Sequence, residues 1–192
     1  MTVSTSRVSL VMIATPTIVT TRLTLRAFQA GDLAAFVAYR ADPVIAQYQS
    51  WDDYQLEDAK ALFTSMDYGL FGVAGNWFQL AIVDKSQQLV GDVAVHFVDD
   101  MQMELGFTIA REYQQQGFAT EALAAVIDYL FVSLNKHRIT AITDAENLAS
   151  IALLERLGFR KEAHYLKNIF FKGKWSDECG FALLQQEYFQ QS

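Results

Sequence analysis

The chain has 192 residues, of which 52% are hydrophobic and 19% charged, and its formal net charge is −7. This charge disfavours a nucleic-acid partner, because binding to phosphates requires a basic face, and no apolar run reaches the length of a membrane span. The single cysteine, Cys179, excludes an internal disulfide framework and favours a reducing compartment, the cytoplasm.

The length predicts one domain over residues 1–192, with residues 1–20 as an N-terminal extension. The apolar run at 8–14 follows one arginine, but it is short and no small-residue cleavage site comes after it. This pattern is not typical of a secretion signal. We interpret the extension as a strand or a packing arm.

The first half of the chain is predicted to be mostly helical after one strand. Residues 23–27 alternate between apolar and polar types and are rich in β-formers, which predicts the strand. Three helices follow, at 31–40 with Asp32 as N-cap, from Asp42-Pro43 toward Tyr48, and at 56–66.

The second half alternates strands with two helices. Its predicted strands lie at 77–83, 89–97, 102–109, 138–143, 159–166 and 175–184, the first two forming a hairpin and the last two an antiparallel pair. Its predicted helices lie at 119–134, with one apolar stripe, and at 147–157, closed by Gly158. This order predicts an α/β fold whose mixed sheet has helices on both faces.

A polar turn at 111–117 separates the strand at 102–109 from the helix at 119–134. A strand followed by a glycine-containing turn and a helix directs free backbone N–H groups at an anion. No lysine follows Gly117, so the turn is not typical of a nucleoside triphosphate site.

Motifs along most of the chain resemble those of the GNAT N-acetyltransferases, and of their RimJ/RimL-type branch in particular. The motifs are Gln114, Gly117 and Ala119 in a Gln/Arg-x-x-Gly-x-Gly/Ala pattern, the segments 21–26, 134–139, 154–159 and 171–177, and Asn147-x-x-Ser150. The resemblance implies a GNAT fold, with a mixed, mostly antiparallel sheet of about seven strands. It also implies a splay between two central parallel strands, 104–109 and 138–143.

By this resemblance the cosubstrate is acetyl-CoA. Phe107, Thr108 and Ile109 would then pair with the pantetheine arm as an added strand does. The pyrophosphate would lie on the turn and the helix start, at Gln114, Gln115, Gln116, Gly117, Phe118, Ala119 and Thr120. The family commonly has a second glycine at the position of Gln115. Asn147 and Ser150 would meet the pantetheine arm, although Asn147 could equally be only a helix cap.

The resemblance also suggests catalytic residues. Ser150 is suited to protonate the departing thiolate, and Glu104 occupies a place where many GNAT enzymes have their general base. Glu104 could instead be a surface carboxylate. His96 and His164 are alternative bases, whereas His137 is expected to cap or to pack. RimL-like enzymes can carry a glutamate ten residues after the Gly-Phe pair, where this chain has Ile169.

The predicted function is acetyl transfer from acetyl-CoA to a primary amine, either a protein N-terminus or a small amine. Tyr48, Trp51 and Tyr54 are expected to line the acceptor side, with core packing as their alternative role. No His, Cys, Asp and Glu spacing suggests a metal. The alternative from another class is a catalytically silent CoA-binding module. A homodimer is compatible with the sequence.

Overall fold

The computed structural model describes residues 14–51 and 53–191. Its strands are β1 (Ile18–Val19), β2 (Leu23–Ala27), β3 (Asn76–Asp84), β4 (Leu89–Phe97), β5 (Gln102–Ile109), β6 (Arg138–Asp144), β7 (Arg160–Phe171) and β8 (Lys174–Leu184). Its helices are α1 (Leu33–Arg40), α2 (Pro43–Ala46), α3 (Leu56–Ser65), α4 (Phe118–Asp128), α5 (Leu148–Arg156) and α6 (Gln185–Gln191). None of these described helices is both long and apolar enough to span a membrane.

The strands form one eight-stranded sheet in the order β1-β2-β3-β4-β5-β6-β8-β7. Neighbouring strands are antiparallel except for β5 and β6, which are parallel. The predicted mixed α/β sheet is therefore confirmed, with one strand more than expected. The added strand, β1, lies in the predicted extension and pairs with β2, whereas residues 1–13, with most of the apolar run, lie outside the described residues.

The structure corrects two local predictions and adds one helix. Asp32 does not cap α1 through its side chain, because its carboxylate pairs with Arg26 at 2.7 Å and accepts the N–H of Gln29. The long helix predicted at 119–134 is α-helical only through Asp128 and ends in a π-helical turn. Helix α6 was not predicted, because its glutamine-rich segment carries little apolar periodicity.

Two cores lie on opposite faces of the sheet. The larger core packs α4 against the side chains of β3, β4 and β5 that alternate toward it, such as Phe78, Val95 and Leu105. The smaller core is aromatic and packs α1 and α3 against Ala81 and Val83 of β3. Because α1 to α3 cover only part of the second face, the remaining side chains on that face border a cleft.

Candidate active site

The parallel strands β5 and β6 separate soon after they begin. Three residue pairs join them, and the last pair is Glu104 with Thr140. Beyond this pair, residues 105–108 of β5 and 142–144 of β6 line the same cavity from two sides. The predicted splay is therefore present, and it opens toward the carboxyl ends of both strands.

The free edge of β5 presents backbone groups to this gap. The N–H of Ala110 bonds the carbonyl of Val90 on β4 at 2.9 Å. Because successive residues of a strand direct their backbone groups to opposite edges, those of Phe107 and Ile109 face away from β4, toward the splay. The carbonyl of Ile109 accepts the side-chain amide of Gln114 at 2.9 Å, which ties the following turn to the strand.

The turn between β5 and α4 contains two residues with left-handed backbone. Gln115 has φ +59° and Gly117 has φ +80°, and the side chain of Gln116 between them donates to the carbonyl of Glu112 at 2.8 Å. Gly117 is the N-cap of α4, so the first N–H groups of the helix follow directly. Such N–H groups and the helix dipole together favour an anion.

Arg22 braces this turn from outside. Its guanidinium donates to Glu121 at 2.6 Å and to the carbonyl of Gln116 at 2.8 Å, and it lies 4.4 Å from the centre of the Phe118 ring. A Cβ added at Gly117 would lie 3.3 Å from the same guanidinium. Arg22 therefore neutralises an acid in the first turn of α4 and fixes the carbonyl just before the N-cap.

A cavity of about 630 Å³, here called the groove, runs from this turn to the splay. It lies between the start of α4, α5 and the segment 44–49, and includes Tyr113 and Arg156. The predicted cofactor residues that line it are Phe107, Thr108, Ile109, Gln114, Gln115, Gly117, Phe118, Ala119, Thr120, Asn147 and Ser150. Gln116 is not among the lining residues, because its side chain turns back to Glu112.

A second cavity of about 440 Å³, here called the cleft, lies on the sheet face opposite α4. Its aromatic lining residues are Tyr48, Trp51, Trp77, Phe107 and Phe171, and its acidic ones are Asp92, Asp144 and Glu178. Arg40 is the cation among its lining residues. An aromatic wall with an excess of carboxylates suits a cationic ligand.

Two of the three predicted acceptor residues reach the cleft. Tyr48 and Trp51 line it, but Tyr54 is 7% exposed and belongs to the aromatic core, 5.8 Å from Phe36 and 5.3 Å from Trp51 between ring centres. Tyr54 thus takes the alternative role of core packing and supports Trp51 from behind. Ile169 also lines the cleft.

The groove and the cleft meet at the splay. The residues that line both of them are Tyr48, Gln49, Phe107, Thr108, Asn147 and Ser150. Side chains of the α2 end, β5 and the α5 start therefore surround one junction. A molecule lying along the groove and another in the cleft would come into contact there.

Asn147 is the N-cap of α5. Its side-chain oxygen accepts the backbone N–H of Ser150 at 3.1 Å, so the helix-cap role is present. Ser150 lies in the first turn of α5 and lines both cavities, and the cap satisfies its backbone N–H.

Glu104 lies at the closed end of the splay. Its carboxylate is 3.7 Å from Nδ1 of His96, whose ring stacks on Trp77 with centres 4.6 Å apart. Trp77 lines the cleft, but Glu104 and His96 are not among the lining residues of either cavity. Glu104 and His96, two of the predicted candidates for the general base, are therefore paired with each other. His96 stacks on Trp77, which lines the cleft.

The other two histidines lie elsewhere. His164 on β7 pairs with Asp177 on β8 at 3.1 Å, and its side chain is 44% exposed. Asp177 also accepts the N–H of Lys167, and these partners lower the pKa of Asp177 to about 2. The backbone N–H of His137 bonds the carbonyl of Met101. Among the described residues, no cluster of His, Cys, Asp and Glu could hold a metal ion.

Sequence reasoning did not find Asp92, which lies in the wall of the cleft and is 1% exposed. Its carboxylate accepts the hydroxyl of Tyr39 at 2.5 Å and lies 3.4 Å from the Arg40 guanidinium. The sequence does contain one signal for Asp92, because an acidic residue directly after Gly91 interrupts the apolar run of β4. A Cβ at Gly91 would lie 2.2 Å from the carbonyl of Thr108, so glycine lets β4 and β5 approach closely there.

Comparison with known proteins agrees with the resemblance of the sequence motifs to the GNAT N-acetyltransferases. A family model described as an acetyltransferase (GNAT) domain matches residues 22–160. The uncharacterised N-acetyltransferase p20 of Bacillus licheniformis is 34% identical over 176 residues, which cover 90% of this chain and 98% of that protein.

Two solved structures show the same fold over nearly their whole length. A GNAT-family acetyltransferase from Bacillus anthracis superposes with a TM-score of 0.80 at 26% identity, covering 89% of this chain and 99% of that one. Spermidine N-acetyltransferase from Vibrio cholerae, in complex with CoA and spermine, superposes with a TM-score of 0.77 at 26% identity, covering 88% and 99%.

Proposed function

This chain belongs to the GNAT family of acetyltransferases and is an acyl-CoA N-acetyltransferase; from that premise we propose that it moves an acetyl group from acetyl-CoA to a small, cationic primary amine. The proposal assigns the groove to acetyl-CoA and the cleft to the amine. The motifs that resemble the RimJ/RimL-type branch support placing the chain in that branch.

The observation that carries the proposal is the junction of the two cavities at the splay. Direct transfer requires the thioester and the amine to meet with no covalent enzyme intermediate. Tyr48, Thr108 and Ser150 line both cavities, so an acyl donor and an acceptor held separately would meet beside them.

The residues of the groove fit an acyl-CoA. The N-terminus of α4, with Gly117 in a left-handed conformation and a braced turn before it, suits a pyrophosphate. The exposed edge of β5 at Phe107 and Ile109 suits the amides of a pantetheine arm. When bound, acetyl-CoA supplies the activated acyl group. The N–H at this edge of β5 is also suited to stabilise negative charge that develops on the thioester oxygen.

Ser150 is proposed to donate a proton to the sulfur as it leaves. Ser150 lines both cavities, and the cap on its own N–H fixes its backbone. Glu104 remains a candidate to accept a proton from the amine, through His96 or water, because the pair adjoins Trp77 of the cleft wall.

The lining of the cleft supports a small, positively charged acceptor. Asp92, Asp144 and Glu178 outnumber Arg40 there, and Tyr48, Trp51 and Trp77 offer aromatic faces to an ammonium group. The similarity to a spermidine acetyltransferase is consistent with this choice. A protein N-terminus is the other acceptor class in the RimJ/RimL-type branch, and it needs room for a peptide chain beyond the cleft.

The test is release of free thiol from acetyl-CoA in the presence of three acceptor panels: polyamines, monoamines and peptides with free N-termini. We expect turnover with di- and polyamines, and acetylated products by mass spectrometry. Turnover with peptides alone would overturn the small-amine assignment. Tight CoA binding without turnover on any panel would instead support a catalytically silent CoA-binding module.

A further inference from the structure

Three of the six buried polar or charged residues in the described chain, Arg40, Asp92 and Thr108, line the cleft. Burying a charge costs free energy unless the charge is paired and hydrogen-bonded. Asp92 is the most buried of the six. Because a carboxylate with so little exposure contributes little to solubility or surface charge, its place in the wall of a cavity indicates a functional role.

Asp92 is held by two residues of α1. Tyr39 donates its hydroxyl to one carboxylate oxygen at 2.5 Å, and the Arg40 guanidinium lies 3.4 Å from the other. Arg40 in turn lies over the ring of Phe36 at 4.2 Å and that of Trp51 at 4.1 Å. Its Nε is buried without a hydrogen-bond partner. The carboxylate is therefore fixed in place, and the charge of Arg40 and the two hydrogen bonds offset part of the cost of its burial.

The position of Asp92 along β4 places it beside a junction residue. It is paired in register with Thr108 of β5, which lines both cavities. Glu104 lies four residues earlier on β5, which corresponds to about 13 Å along a strand. Glu104 is thus near the closed end of the splay, and Asp92 is beside its open end.

We propose that Asp92 is the catalytic residue that takes the proton from the acceptor ammonium group at the junction of the cleft and the groove. The proposal rests on the acetyl-transfer function proposed above and adds the residue that makes the amine nucleophilic. Tyr39 and Arg40 are positioning residues, because each of them contacts one oxygen of the Asp92 carboxylate and so fixes its place in the cleft wall.

In the transfer step, one N–H bond of the ammonium group breaks as an O–H bond forms on Asp92. The freed lone pair forms the C–N bond to the acyl carbon, and the C–S bond breaks. The second proton lost by this nitrogen is balanced by the proton that the thiolate gains. Asp92 then returns its proton to water, so that one proton is released per amide formed.

The environment of Asp92 is consistent with a base. Burial raises the pKa of the Asp92 carboxyl above its ordinary value, and Arg40 and Tyr39 oppose this effect. Tyr54 and Tyr68 are the other titratable groups in its electrostatic surroundings, and the charge of Asp92 contributes to raising the pKa of both hydroxyls, after the larger effect of their burial. A carboxylate with a raised pKa becomes protonated at a higher pH. As the pH is lowered, activity should therefore begin to fall at a higher pH than it would with an exposed aspartate as the base.

The experiment compares Asp92→Asn with Glu104→Gln on two acceptors, an alkylamine that is protonated at neutral pH and an alkoxyamine that is neutral. We expect Asp92→Asn to lower kcat/KM by about 10²-fold or more for the alkylamine and by less than about tenfold for the alkoxyamine. Glu104→Gln tests the rival candidate: if it showed this contrast and Asp92→Asn did not, Glu104 would be the base and the proposal would be overturned. An equal loss of activity on both acceptors would assign Asp92 a structural role and overturn the proposal.

Asp92→Asn leaves Arg40 buried without its partner and could fail to fold, so Tyr39→Phe is the second variant. It keeps the ion pair but removes a hydrogen bond that lowers the pKa of Asp92. We expect the acidic limb of the pH profile of kcat/KM to move to higher pH. An unmoved limb would count against Asp92. Absence of turnover in the wild-type protein would refute the proposed function itself, which distinguishes the two failures.

Discussion

The groove and the cleft are built in different ways. The proposed anion site of the groove consists of backbone N–H groups in one continuous segment, 114–120, and the second wall of the groove is the exposed edge of β5. The cleft is made of side chains from α1, from the segment after α2, from α5 and from the strands β3 to β8. A site built from backbone needs particular local conformations, whereas a site built from side chains needs particular neighbours in space.

This difference predicts that substitutions in the two regions have separable effects. Changes in the groove should alter the kinetic constants for acetyl-CoA and leave those for the amine nearly unchanged, and changes in the cleft should do the reverse. Residues at the junction, such as Ser150, should affect kcat instead. The predictions below test this separation.

Among the substitutions that compare the groove with the cleft, Gly117→Val is expected to have the largest effect. The left-handed φ of +80° is strained for any residue with a Cβ, and the added atoms would meet Arg22. We expect acetyl-CoA to bind about 30-fold more weakly, or ~2 kcal/mol, because the helix N-terminus loses its preorganised shape. Isothermal titration calorimetry measures this loss.

Gly75→Val is the matched control for Gly117→Val. Gly75 also has a positive φ, of +82°, and nothing lies within 4 Å of its added Cβ. Its strain should therefore lower stability without changing the affinity for acetyl-CoA. An equal loss of affinity in both variants would mean that the turn at Gly117 is not specific to the cofactor.

Arg22→Gln should give the next largest effect. It removes the brace on the Gln116 carbonyl and leaves the charge of Glu121 beside the anion site. We expect the KM for acetyl-CoA to rise about tenfold through lost charge-assisted hydrogen bonds. The KM for S-acetylpantetheine, which lacks the pyrophosphate, should not change. A parallel rise for both donors would show that Arg22 only stabilises the fold.

Glu178→Gln tests the charge of the cleft. Glu178 lines the cleft and accepts the side-chain amide of Asn168 at 2.5 Å. Removing one partly exposed carboxylate should raise the KM for a polyamine about threefold and leave the KM for acetyl-CoA unchanged. Glu57→Gln on the exposed side of α3 is the control with the same change in net charge. If both variants behaved alike, overall charge and not the cleft would attract the amine.

The smallest effect is expected for Gln115→Gly, the position where similar proteins commonly have glycine. Gln115 has φ +59°, which glycine adopts without strain. Relief of strain and the greater entropy of glycine in the unfolded chain oppose each other, so we expect a change of about 0.5 kcal/mol or less in unfolding free energy. Denaturant unfolding measures it. Acetyl-CoA affinity should stay within about twofold, since Gln115 contributes its backbone.

The fold and the groove were largely predictable from the sequence. Alternation and apolar periodicity placed most strands and the long helices. Helix α6 was missed, and β1 was anticipated only as one of two roles for the extension, because both elements are short with weak patterns. The turn at 114–117 was predictable because its glycine and its distance from α4 are local requirements of an anion site. The misassigned cap at Asp32 shows the limit, since a partner on β2, Arg26, attracted its side chain.

The cleft was predictable only in part. Tyr48 and Trp51 were placed near the acceptor, but Tyr54 close by in sequence is in the core. Asp92 could not be linked to Tyr39, 53 residues earlier in the chain, because the pairing depends on how α1 crosses the sheet. Glu104 was expected at the reacting centre, but strand register placed it where β5 and β6 are still joined.

The sequence by itself thus determined the strands of the sheet and the helix that follows the glycine-containing turn, whereas the acyl-CoA class of ligand came from the resemblance of its motifs to a family. The strands and the helix depend on residues close together in the chain, through dihedral preferences and periodic burial. Only the tertiary structure decided that the groove and the cleft meet at one junction and which carboxylate is buried beside it. Strand register and helix crossing set those distances, and single-residue patterns do not encode them.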